Sequence, residues 1–137
     1  MTSLDLRAAP PRSPRAELAT VVFLPRSIDK VRASLPGGDL GSYRIAGFSA
    51  QMLETLGISL ESFTDAVRAA QNDADVAAFI SAESSAEGRE RWNAFVNARE
   101  PLGNREEAYG IFPWLRSRPD LVLALDVLAE DDVQTFK

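Results

Sequence analysis

Neither cysteine nor histidine occurs in this chain of 137 residues. Zinc sites of the usual kind, thiol nucleophiles, disulfides, Ser-His-Asp triads and His-ligated haem or iron are thereby excluded. An enzyme built on this chain would draw its acid and base from Asp, Glu, Lys or Tyr, none of which titrates near neutrality when unperturbed. Lysine is scarce too: only Lys30 and Lys137 accompany thirteen arginines. A genome-wide codon bias is the readier explanation, although Arg does suit carboxylate and phosphate recognition. No 18-residue apolar run is present, and Met1-Thr2-Ser3-Leu4-Asp5 lacks a charged segment leading into an apolar one. The expectation is therefore no membrane span, no signal peptide and a cytoplasmic location.

What is present fits a globular domain. Hydrophobic residues make up 45% and charged residues 26%, near the averages for soluble folds, and the length argues for one domain. The net charge of −5 is unevenly placed. Residues 1–44 carry seven cations against four acids, whereas residues 45–137 carry eight against sixteen. An acidic whole argues against nucleic acid as a partner, while the basic first third can attract a small anion. There is no internal repeat and no low-complexity segment.

Along the chain, residues 1–12 have two prolines and little apolar periodicity, which predicts an irregular arm. Ser13-Pro14 supplies an N-cap and a residue pre-set for a first helical turn, predicting a short helix with Leu18, Val21 and Val22 on one side. In residues 24–35, Leu24, Ile28, Val31 and Leu35 form one apolar stripe, the mark of an amphipathic helix whose other face carries Arg26, Asp29, Lys30 and Arg32. Pro36-Gly37-Gly38 ends it, and a loop follows.

Ser49 is expected to cap a helix with Met52, Leu53 and Leu56, stopped by Gly57. Ser59 caps the next, with Leu60, Phe63 and Val67 inward. Asn72 or Asp73 begins another, bearing Val76, Phe79 and Ile80, and Ser84 with Glu87 has capping-box spacing ahead of Trp92, Phe95 and Val96. Asn104 offers a further start, and Pro119-Asp120 a last one through Leu121, Leu125 and Leu128. That helix is expected to end before Glu130-Asp131-Asp132, because acids oppose the dipole at a helix C-terminus. The alternation in residues 121–128 also permits a strand. The fold class is all-α: a single domain over 13–137 of six or seven short helices behind the irregular arm.

The most specific feature is the basic helix face. Arg26 and Lys30, four apart, are surface neighbours, and Asp29 lies three from both Arg26 and Arg32, where it can hold an Arg by a charge-assisted bond. Such a cluster suits an anion clamp. The bland alternative is a solvated face with pairs worth a few tenths of a kcal/mol each. The glycines of residues 36–41 follow a helix, whereas phosphate-cradling glycines follow a strand and open a helix, so they read as a turn. Tyr43 and Arg44 come next, and Tyr43 either closes over the site or packs its ring on the core. Asp73 and Asp75 are too few for a metal cage and suit a helix start. Glu87 and Arg91 read as a surface pair, and Trp92, Phe95, Phe112 and Trp114 read as core.

The run SPRAELATVVFLPRSIDKVRASLPGG at 13–38 resembles the bacterial family known as domain of unknown function 5069. LPRSIDKVRA, the glycine loop ending near Tyr43, Leu56-Gly57-Ile58 and LDVLAEDD in the last part of the chain carry the same resemblance. It implies no activity, but it directs attention to Arg26, Asp29, Lys30, Arg32 and Tyr43, since the motif holds more polar residues than a core helix needs.

Three functional readings follow. The first is binding of a small anionic or phosphorylated ligand at Arg26, Asp29, Lys30, Arg32 and Tyr43, with no cofactor and no metal. The second is a protein-interaction or homodimerisation module using the aromatic segment 109–115, from Tyr109 to Leu115. The third is an enzyme in which Lys30, its pKa lowered by neighbouring cations, serves as base or imine-forming nucleophile. It ranks last because no second catalytic group accompanies the lysine.

Overall fold

In the computed structural model, which describes all 137 residues, the segment expected to open as a short helix is a β-hairpin. Strands β1 (Glu17–Leu18) and β2 (Val21–Val22) pair antiparallel, with Glu17 opposite Val22 and Leu18 opposite Val21. Ala19 and Thr20 between them have φ of 53° and 61°, the left-handed pair that a tight two-residue hairpin loop requires. Neither residue favours that conformation, and a β-branched Thr disfavours it most. Distant side chains impose it. Trp92 Nε1 donates to the Val22 carbonyl at 2.8 Å, Val22 N–H donates to Asn93 Oδ1 at 3.0 Å, and Asn93 Nδ2 donates to the Thr20 carbonyl at 2.5 Å. The spacing of Leu18, Val21 and Val22 fits a helix, but bonds from some seventy residues away decide the outcome.

Helix α1 (Leu24–Ser34) forms where the stripe predicts it, with Pro25 in its first turn. Leu24, Ile28 and Val31 are fully buried. The face expected to meet solvent is buried as well, with Arg26 at 2%, Asp29 at 4% and Lys30 at 7% exposure. The arm explains this. Leu4 N–H donates to the Arg32 carbonyl, the Leu4 carbonyl accepts from Asp39 N–H, Leu6 N–H donates to the Asp39 carbonyl, and the buried Leu6 anchors the strip. The Met1 amino group reaches the carbonyls of Val67, Arg68 and Ala70. Irregular as expected, the arm is nonetheless bound along α1.

The backbone groups into two units, Met1–Asn93 and Ala94–Lys137. In the first, α2 (Phe48–Leu56) buries Met52, Leu53 and Leu56 and ends at left-handed Gly57. Its N-cap is Gly47 rather than Ser49, which lies inside the helix and shares a 2.9 Å hydrogen bond with Ser27 of α1. Ser59 caps α3 (Leu60–Ala69), which buries Phe63 and Val67 but leaves Leu60 exposed. Asn72 caps α4 (Asp73–Glu83), which buries Val76 and Ile80. Before α5 (Ala86–Ala98), Ser85 rather than Ser84 accepts the Gly88 N–H.

In the second unit a 3-10 turn at Pro101–Gly103 precedes α6 (Arg105–Ile111), capped by Asn104. A second turn at Pro113–Ser117 precedes α7 (Ala124–Thr135). Ala108, Leu115 and Val127 form a small core. The last helix starts later than Pro119-Asp120 and runs through the acidic triplet expected to lie beyond it. Arg118 pairs with both Asp120 and Glu130, at 2.9 and 3.2 Å, and Gln134 donates to Glu130. These contacts offset the unfavourable dipole. Residues 124–128 are helical, so the strand alternative is not adopted. No helix is long and apolar enough to cross a membrane.

Relieving the left-handed conformation at Thr20 with Thr20→Gly is expected to raise stability by about 1 kcal/mol in urea denaturation, since the bonded carbonyl is kept. Trp92→Phe, which strands the buried Val22 carbonyl, is expected to lower it by about 1–3 kcal/mol in the same assay.

Candidate functional site

Phe23 is the centre of the arrangement. At φ 79° it forms the N-cap of α1, its N–H donating to the Ala16 carbonyl and its own carbonyl accepting from Ser27 N–H. Two cations one helical turn apart lie over its ring, the Arg26 guanidinium at 5.8 Å and Lys30 Nζ at 5.4 Å from the centroid. Arg26 also lies 5.4 Å from the ring of the half-buried Tyr43, and its Nη1 donates to the Arg12 carbonyl at 3.2 Å. Phe48 meets Phe23 edge-on at 5.8 Å and Trp92 at 6.2 Å. Phe23 therefore belongs to an edge-to-face aromatic cluster, and the charges are held by geometry suited to cation–π attraction.

Asp29 and Arg32 serve a different cluster. Asp29 accepts from Arg12 three ways: the backbone N–H at 2.8 Å, Nε at 3.1 Å and Nη2 at 3.0 Å. The same guanidinium forks onto Asp73, with Nη1 at 2.5 Å and Nη2 at 3.2 Å. The hydrogen bond to Asp73, followed by the contacts with Asp29, holds the Arg12 pKa well above its ordinary value against the opposing desolvation, so this cation is permanently charged. Arg32 lies 3.8 Å from Asp29 and directs its donors to Thr2, Nε to the carbonyl at 2.8 Å and Nη2 to Oγ1 at 3.1 Å.

The five sequence-chosen residues thus divide. Arg26, Lys30 and Tyr43 gather about Phe23, while Asp29 and Arg32 bind the arm. Sequence reasoning missed Arg12, which has no local relation to partners 17 and 61 positions away. It also read Asp73 only as a helix start and Phe23 not at all. The glycine segment is a turn: a Cβ on Gly38 would fall 2.6 Å from the Ala33 carbonyl oxygen.

The aromatic segment of the second unit is largely committed to packing. The guanidinium groups of Arg105 and Arg116 lie 5.7 and 4.4 Å from the centroid of the Tyr109 ring. Arg105 also donates to the Tyr109 hydroxyl and to the Leu121 and Arg118 carbonyls. Phe112 and Trp114 are in tilted contact beside Leu115, and Ile111 alone in the segment is a widely exposed apolar side chain, at 61%. Phe95, expected in the core, is 40% exposed.

The family model described as Domain of unknown function (DUF5069) matches residues 8–132. The chain belongs to this family. No curated protein matches it. Within this DUF5069 domain the matched span contains Arg12, Phe23, Arg26, Asp29, Lys30, Arg32, Tyr43 and Asp73, whereas Thr2, which receives Arg32, precedes it.

Arg12→Ala would take the guanidinium from the buried Asp29 carboxylate, leaving it the residue-12 N–H and the more distant Arg32, and is expected to cost about 1–3 kcal/mol of unfolding free energy. Arg12→Lys, which keeps the charge but loses the planar fork, should recover only part of that in chemical denaturation.

Proposed function

We propose that this protein binds a small anion, a phosphate or short carboxylate, at the cation pair over Phe23. The observation that carries the reading is the convergence of Arg26 and Lys30 on one aromatic ring in a setting less than a tenth exposed. Two cations one turn apart raise the local potential, and a low-dielectric wall strengthens their pull on a negative guest. Arg26 supplies a planar fork and Lys30 a point charge, the pairing that suits a tetrahedral or planar oxyanion. Tyr43 adds a hydroxyl donor and a ring that fixes the Arg26 plane. The basic balance of residues 1–44 favours the same class of guest. Such low exposure limits the guest to a small one.

A calorimetric titration with inorganic phosphate and with succinate tests this. Saturable binding is expected, weakened about tenfold or more in Lys30→Gln and in Arg26→Gln, and largely retained in Lys30→Arg. Circular dichroism melting separates loss of the site from loss of the fold. Absence of saturable heat in the unmodified protein, or equal affinity in a folded Lys30→Gln, would overturn the reading. The exposed Ile111 favours a second one, self-association through segment 109–115. Sedimentation at rising concentration should then show a dimer that Ile111→Ser dissociates, and a monomer throughout would count against it.

A further inference from the structure

The second unit has an open surface hollow of its own. Its volume is 390 Å³, and Phe95, Ala98, Arg99, Glu100 and Gly103 line it at the end of α5 and the following turn. That size is within the range of small-molecule sites. The half-buried Arg99 guanidinium lies 5.4 Å from the Phe95 ring centroid and packs against Gly103. A Cβ at Gly103 would fall 2.6 Å from Arg99 Nη2, so a side chain there would push the guanidinium off its place. Arg99 takes part in none of the chain's ion pairs.

The turn itself points the same way. Leu102 has φ 52° and Gly103 φ 69°, a left-handed pair fixed by Gly103 N–H to the Glu100 carbonyl and Asn104 N–H to the Pro101 carbonyl. A leucine in that conformation is strained, yet its side chain is 49% exposed and gains little by packing. What the turn achieves is the placement of Gly103 beneath Arg99. Strain retained where it positions a charged group is a feature of binding sites.

We infer that this hollow takes a small monocarboxylate with an apolar body, such as a branched-chain or arylalkyl acid. The carboxylate accepts two parallel N–H bonds from Arg99, and the apolar body lies against Phe95 and Ala98. Glu100 sets the charge limit. It is one of the lining residues, and its negative charge disfavours phosphate and dicarboxylates.

The test is an NMR titration of the full chain with 4-methylpentanoate and 3-phenylpropionate, set against 4-methylpentanamide, succinate and inorganic phosphate. Saturable shifts confined to residues 95–103 are expected with the two acids and not with the amide, succinate or phosphate. Arg99→Gln should weaken the acids about tenfold or more, Arg99→Lys less so, and Glu100→Gln should admit succinate. Because Arg99 is only half-buried, the variant's spectrum verifies that the fold is intact. No saturable shift, equal binding of the amide, or unchanged affinity in Arg99→Gln would overturn the inference. Phosphate shifts at residues 23–43 report on the cation pair separately, so either proposal can fail alone.

Discussion

The Arg12–Asp29 pair is the contact on which the first unit depends. Helix α1 is enclosed on nearly every side, and a carboxylate in such surroundings persists only if charge and hydrogen bonds compensate its lost hydration. Arg12 supplies both, through its backbone N–H and its guanidinium, and extends the same fork to Asp73 at the start of α4. An irregular arm thereby becomes part of the packing. Leu6 enters the core, and the backbone of residues 4–6 aligns with the turn after α1.

Arg12 also connects this anchor to the cation pair, because its carbonyl accepts from Arg26. The position of Arg26 over Phe23 and beside Tyr43 therefore depends on where the arm is tied. The two sites proposed here differ in kind. About Phe23, two nearly buried charges share one ring; about Phe95, a single half-buried guanidinium rests on an exposed ring over a glycine. Under the proposed readings, the first would select by charge density and the second by matching one charge to an apolar body.

Much of the helical plan could be read from local chemistry. Ser59, Asn72 and Asn104 cap the helices their side chains suggest, Gly57 closes α2, and Leu24, Ile28 and Val31 face inward as their spacing requires. What local chemistry misses depends on residues far along the chain. The hairpin at 17–22 is set by Trp92 and Asn93, the acidic end of α7 by Arg118, and the burial of the charged face of α1 by the arm. Of the site, the cations and Tyr43 were legible because spacing places them on one face beside one loop. Phe23 was not, because a left-handed residue at a strand–helix junction has no periodic signature, and Arg12 was not, because ion pairing over such separations leaves no pattern in a single sequence.

The hairpin's reliance on Trp92 and Asn93 bears on how the chain reaches its folded form. These bonds join residues 70 to 73 positions apart, so a loop holding most of the first unit must close before they exist. Closure over that distance loses entropy before any contact returns it. The left-handed loop at Ala19-Thr20 has none of this support until α5 docks. The shape of this turn is thus conditional on a contact between the two ends of the unit, and a change at Trp92 or Asn93 acts on a loop some seventy residues away.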